Sequence, residues 1–279
     1  MGHYYTNTLD EKKGEGLISK WSITNSNESN SWYICHKPNP TARLRLFCFP
    51  YGGGGPSTFY NWPKQLPSDV ETIGIQMPGL ESRMMEPPID IISMAVQSLL
   101  PEIYLKLDKP FAFFGHSLGA LISYELARAI SEKYSVQPTR LFVSGIRAPH
   151  IPIRRSPIYE LPEVEFLKEL NSLYCGIPEE ILQNPDILRI LLPGLRACLK
   201  MSESYLFLGG DPLDCDITAF GGHDDNTAPR EDLEAWRYHT KGMFTLHMIA
   251  GNHFFINSEP EHFLRILSDE LIGILSRLE

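Results

Sequence analysis

No stretch of the 279 residues reaches the roughly 18 apolar positions that a membrane helix needs. The N-terminus also lacks an apolar signal-peptide core, so no membrane contact is expected and the cytoplasm is the expected location. "MGHYYT" fits only the short, loose myristoylation pattern. Basic residues are few. Lys and Arg number 25 against 34 Asp and Glu, a net charge of −9. That balance argues against nucleic acid, whose affinity comes from basic side chains neutralising phosphates, and against a polybasic membrane patch. Cysteine is scarce as well. Cys35, Cys48, Cys175, Cys198 and Cys215 are odd in number and form no C-x-x-C pair. Neither a zinc knuckle nor a disulfide framework follows, and a reducing compartment fits. There is no H-E-x-x-H and no Walker G-K-[ST], no metal site is expected, and no internal repeat is visible.

What is present is an ordinary globular composition, 43% hydrophobic and 21% charged, in a chain long enough for a large core. Residues 1–31 are rich in Asn, Ser, Lys and Glu without apolar periodicity and read as a flexible N-terminal arm. The domain runs over 32–279. Short apolar runs recur at "LRLFCF" (44–49), "ETIGIQ" (71–76), "FAFFG" (111–115), "RLFVSG" (140–145), "DITAF" (216–220) and "FTLHMIAG" (244–251). Several are continuous rather than alternating, as strands covered on both faces are. Helical patterns separate them, which predicts an α/β fold with a mostly parallel central sheet flanked by helices. Residues 149–205 break the alternation with amphipathic helical segments and no strand. Such an insertion is a natural lid, or simply a cover for the sheet.

Within "FFGHSLGAL" lies G-x-S-x-G, formed by Gly115, Ser117 and Gly119. By composition it arises in about one chain in eight of this length, so the pentapeptide needs its surroundings. Here a strand run ends at the first glycine, and Leu118, Leu121, Ile122, Leu126 and Ile130 then trace one helical face. Strand, tight turn and helix are the setting of a nucleophile elbow. The glycines let backbone pass where a Cβ would clash, and the hydroxyl stands beside a helix N-terminus that favours negative charge.

A serine needs a base and an orienting acid, and behind such an elbow they follow in the order serine, acid, histidine. Of nine histidines, His3, His36 and His116 precede the serine. His247 lies inside a strand run and His262 in a terminal helix pattern, while His150, His223 and His239 precede no suitable strand end. His253 follows the last strand in a short turn, "AGNHFF". The acid belongs in the loop after the preceding strand, where Asp224 and Asp225 both qualify; Asp216 opens that strand at the wrong end. The glycine run "FPYGGGGPS" follows the first strong strand and suits a second oxyanion amide. Gly52 is the choice there, with Tyr51 as the alternative, and Leu118 supplies the first amide.

The segments "FPYGGGG", "MPGLESRMMEPP", "FGHSLGALISYELAR", "SGIRAPH", "PLDCDITAFGGHDD", "EAWRYHT" and "AGNHFF" together carry a resemblance from about Leu44 to near the C-terminus. The chain resembles the type II thioesterases that accompany nonribosomal peptide and polyketide synthases, a branch of the α/β-hydrolases. The resemblance implies an α/β-hydrolase fold, a mobile lid over 149–205 and a triad of Ser117, Asp225 and His253, and it selects Asp225 over Asp224. It further implies hydrolysis of acyl thioesters on the phosphopantetheine arm of an acyl- or peptidyl-carrier protein, to remove mis-loaded or stalled groups. The arm belongs to the substrate, so no cofactor is expected, and a monomer is the expected working unit. Asn252 departs from the family's usual second glycine, and "GGGG" from its aromatic or His followed by Ala-Gly-Gly. Arg147, Arg154 and Arg155 offer a basic patch for the carrier where the lid begins. Other readings are a carboxylesterase or lipase-like hydrolase on free esters, a chain-releasing terminal thioesterase, and a non-catalytic protein that binds a synthase.

Overall fold

The apolar runs become strands because both faces of each find a layer of helix to cover them. A computed structural model describes residues 31–174 and 182–278. Apart from Ser31, the N-terminal arm expected over 1–31 lies outside the described residues. The strands are β1 (Tyr33–Ile34), β2 (Leu44–Phe49), β3 (Val70–Ile75), β4 (Phe111–His116), β5 (Arg140–Ser144), β6 (Asp216–Gly222) and β7 (Phe244–Ile249). They form one sheet in the order β1-β3-β2-β4-β5-β6-β7. β1 runs antiparallel to β3 and all other pairs are parallel.

Along β2, Phe47 and Phe49 point to one face and Leu44, Leu46 and Cys48 to the other, and all five are buried. The first face packs under α1 (Ile92–Tyr104) and α2 (Leu118–Tyr134), where Leu99, Leu121 and Leu126 complete the layer. The second lies against the C-terminal helix, Pro260–Leu275, through Phe263, Leu267 and Leu271. Phe114 carries the packing across that face, its ring 4.9 Å from Trp62 and 5.6 Å from Phe263. The two-residue β1 went unseen in the sequence. It is defined only by its pairing with Gly74 and Ile75.

Between β5 and β6 the chain leaves the sheet for α3 (Glu163–Tyr174) and α4 (Pro185–Glu203). Asn184 caps α4, its side chain accepting from the Ile187 N–H, and Pro185 follows at the first helical position. The described part of 149–205 contains no strand. Its helices share a small core of their own, built on Phe166, Leu170, Leu188 and Leu192.

The strand order reverses between β2 and β4. In open parallel sheets that switch point, at the carboxyl ends of the strands, is where a crevice forms. The opposite end is closed by charge. Arg140 and Asp216 open β5 and β6, pair at 2.9 Å, and Arg140 also binds Glu270 of the C-terminal helix. His247 adds a 2.9 Å contact to the same carboxylate. Its bond from His247, reinforced by Arg140, holds Glu270 below the usual glutamate range against the opposing effect of burial. A depressed folded value means stability that is complete above the unfolded glutamate range and is lost as pH falls through the folded value. Glu270→Gln should therefore destabilise the protein by about 1–3 kcal/mol at neutral pH. Thermal melts from pH 7 to pH 4 should also show a smaller acid-induced drop in Tm for the variant than for the wild type.

Candidate active site

At the carboxyl end of β4 the chain turns into α2 within one residue. Ser117 takes φ 54° and ψ −122°, a region that side chains rarely enter and that marks stored strain. Its N–H donates to the Ser144 carbonyl at 2.7 Å. Both glycines of the motif are sterically required. A Cβ on Gly115 would lie 2.4 Å from Ala120 Cα, and one on Gly119 would lie 2.2 Å from the Phe49 carbonyl oxygen. The chain leaving β2 thus runs directly against the start of α2.

That exit forms a turn in which the Gly54 N–H donates to the Tyr51 carbonyl at 2.9 Å. Gly53 has φ 88°, the positive value demanded at the third position of a type II turn. Gly52 faces Cys198 of α4; a Cβ there would lie 3.1 Å from the cysteine's own, and 3.9 Å from Leu118 Cδ2. Leu118 is the first residue of α2, so its amide has no intrahelical acceptor and lies at the positive end of the helix dipole. Burial pushes the Cys198 thiol up to about 11. Beside these residues Met77, Leu80, Leu118, Cys198 and Met201 line a narrow apolar cleft. It is nearly closed, with space for about one water molecule.

The loops after β6 and β7 are joined backbone to backbone. The N–H of His223 donates to Ile249 at 2.8 Å, and that of Asp224 to Gly251 at 2.9 Å. Gly222 permits this, because a Cβ there would lie 2.5 Å from the carbonyl oxygens of Gly251 and Asn252. Asn252 accepts the Phe254 N–H through its side chain at 2.9 Å, so the departure from glycine supplies a local turn. His253 Nδ1 lies 2.8 Å from Asp225 Oδ2, with side chains only 4% and 1% exposed. Asp224 is exposed, so Asp225 is the carboxylate that meets the imidazole.

Two partners in this cluster were not legible in the motif. Thr227 donates its hydroxyl and its N–H to Asp225 Oδ1 at 2.7 and 2.9 Å. The D-x-T spacing is that of an Asx turn, and it was the one available signal. Burial alone would raise Asp225, but the bonds from His253 and Thr227 outweigh it and leave the carboxyl below its ordinary range. His116 is the other. Its Nδ1 meets Ser144 Oγ at 2.8 Å, and its ring lies 5.1 Å from that of His253. Burial, then the neighbouring His253, push it down to about 3, so it stays neutral. Since residue 116 is bonded to residue 117, this ring contact brings the elbow and His253 together. Among the described residues no hydrogen bond joins the Ser117 hydroxyl to His253. Such bonds are often long without substrate and tighten with it.

Three of the histidines set aside in the sequence, His150, His239 and His247, have structural partners. His239 is buried between Tyr124 Oη at 2.8 Å and His150 Nδ1 at 2.7 Å, and His247 joins Glu270. The arginines of the expected basic patch each have a partner of their own. Arg154 binds Asp232 in bidentate fashion at 2.6 and 2.9 Å, Arg155 pairs with Glu203 at 2.6 Å, and Arg147 donates to the Ile151 carbonyl from a largely buried position. Arg154, its side chain 63% exposed, ties the insertion to the segment after β6, and Arg155 ties its entry to the end of α4.

A strained serine on a strand-to-helix elbow, with an Asp–His pair at the same carboxyl end of a mostly parallel sheet, defines an α/β-hydrolase, and the chain belongs to the thioesterase family, whose domain it matches over residues 44–271. It is a type II thioesterase similar to several proteins of peptide and polyketide pathways. The gramicidin S biosynthesis protein GrsT of Aneurinibacillus migulanus is 42% identical, covering 91% of this chain and 99% of that protein. A protein named linear gramicidin dehydrogenase LgrE, from Brevibacillus parabrevis, is 40% identical over 88% of this chain and 94% of its own. The structure of BorB, the type II thioesterase of the borrelidin cluster, superposes with a TM-score of 0.78 at 31% identity, covering 86% of this chain and 97% of that one. No described helix is long and apolar enough to cross a membrane.

Gly119→Ala tests the close approach at the elbow. The added Cβ meets backbone oxygen that cannot rotate away, so a loss of roughly 3 kcal/mol in chemical denaturation is expected. Gly209 has nothing within 4 Å of such a carbon. Its positive φ makes it a control for backbone strain without the clash.

Proposed function

We propose that the protein hydrolyses acyl thioesters held on the phosphopantetheine arm of acyl- or peptidyl-carrier proteins, clearing mis-loaded or stalled groups from a peptide or polyketide synthase. The observation that carries this reading is the buried 2.8 Å contact between Asp225 and His253, beside the elbow of Ser117. With Nδ1 held by the carboxylate, Nε2 is left to act as the base. It takes the Ser117 proton as Oγ attacks the thioester carbonyl. The amides of Leu118 and Gly52 receive the oxyanion, each such donor contributing about 3 kcal/mol to the transition state. The intermediate collapses, the C–S bond breaks, and the imidazolium returns its proton to the leaving sulfur. Water, deprotonated by His253, then cleaves the acyl-serine and frees the acid. Asp225 holds the tautomer and stabilises the imidazolium without taking the proton. These steps use only side chains and amides of one chain.

The apolar cleft beside Leu118 supports an acyl substrate, and the gramicidin S and borrelidin relatives support a synthase setting. The name of LgrE raises hydride transfer as a second reading. It is disfavoured by the glycine run, which leads into a four-residue 3₁₀ turn, Pro56–Phe59, and not into the long helix whose N-terminus holds a dinucleotide pyrophosphate.

Carriers loaded with short and long acyl groups provide the test, with acyl-CoA and nitrophenyl esters alongside. Ser117→Ala should abolish both release and labelling by a fluorophosphonate, and Asp225→Asn should lower kcat about 10⁴-fold. Release by Ser117→Ala at the wild-type rate would remove the mechanism. Preference for free esters over every carrier would remove the substrate.

A further inference from the structure

Among the described residues, the insertion touches the site at two points. α4 lies over the glycine turn through Cys198 and Leu195. The last residue of α3, Tyr174, lies on His253 itself, with ring centroids 4.9 Å apart and planes inclined at 58°. Among the described ring contacts of His253, those with His116 and Phe254 come from the core and from its own loop. Tyr174 is the aromatic that the insertion supplies.

The tyrosine is itself tethered. Its hydroxyl faces Arg155 Nη2 at 3.5 Å, and Arg155 pairs with Glu203 at 2.6 Å. Glu203, only 1% exposed, accepts the N–H groups of Ile158 and Tyr159 at 2.8 and 3.2 Å. One carboxylate thus joins the entry of the insertion, the end of α4 and, through Arg155, the end of α3. The ring held by this framework lies within the 6 Å or so at which an aromatic face attracts a cation. The imidazole of His253 becomes a cation whenever it holds the serine proton.

We propose that Tyr174 is a positioning residue for the base. Its ring steadies the imidazole of His253 as that group takes up charge, so the insertion contributes to turnover as well as covering the crevice. The inference rests on the reading of Ser117 and His253 as nucleophile and base. It assigns the effect to the aromatic ring and not to the hydroxyl, whose partner is Arg155.

Wild type, Tyr174→Phe and Tyr174→Leu are compared on one acyl-carrier substrate, with rates normalised to the sites a fluorophosphonate titrates. Tyr174→Phe is expected to keep the wild-type kcat. Tyr174→Leu fills the insertion's own apolar core but lacks the ring, and is expected to lose about tenfold in kcat at unchanged KM, the order a cation–aromatic contact supplies. Should the leucine variant not fold, Tyr174→Met serves in its place. The proposal is overturned if the non-aromatic variant keeps the wild-type kcat, if its loss is in KM alone, or if phenylalanine falls as far as leucine. A wild type that neither turns over nor takes the probe removes the thioesterase reading and this inference together. That outcome is distinct from an active wild type with an equally active leucine variant.

Discussion

Bare backbone passing backbone at the elbow is the constraint on which the rest depends. The carbonyls of Phe49 and Pro50 lie where a Cβ on Gly119 would be, so the strand that opens the switch point and the helix that follows Ser117 share one tight seam. Because that seam exists, the turn after β2 stands beside the first amide of α2, and Ser117 is held in a conformation costing on the order of 1–3 kcal/mol. The strain persists because the site is over-determined. The Ser117 N–H is fixed to Ser144, the Ser144 hydroxyl meets His116, and His116 packs on His253.

A second seam does for the charged pair what the first does for the serine. Gly222 lets the β6 and β7 exits bond to each other, and the two loops then have little choice about where Asp225 and His253 go. Burying a carboxylate is costly unless its oxygens are satisfied. Here one oxygen receives two donors from Thr227 and the other faces the imidazole. Over both seams lies the insertion, nearly closing the apolar cleft.

Much of this was readable from the chain alone, for a physical reason. Strands buried on both faces must be continuously apolar, so β2 and β4 announce themselves, and a turn that tolerates no Cβ must spell glycine at 115 and 119. The order of elements then pointed to His253, the imidazole that meets Asp225. What failed to show was whatever depends on contacts far apart in sequence. β1 is two residues long and exists only through β3. His116 was set aside because it precedes the serine, yet folding brings its ring against the ring of residue 253. Asp224 and Asp225 are chemically alike, and family resemblance separated them before burial did. The arginines at the start of the insertion looked free because their carboxylate partners, Asp232 and Glu203, lie some 50 to 80 positions further along the chain.

The cysteine that α4 lays against Gly52 has a chemical consequence of its own. Sulfur is a natural acceptor in transthioesterification, and Cys198 sits against the glycine turn beside the cleft. Only the thiolate attacks, and with its acidity suppressed to about 11 by burial this sulfur remains a thiol across the physiological range. Against the glycine turn the sulfur therefore serves as a small apolar packing group and not as a nucleophile.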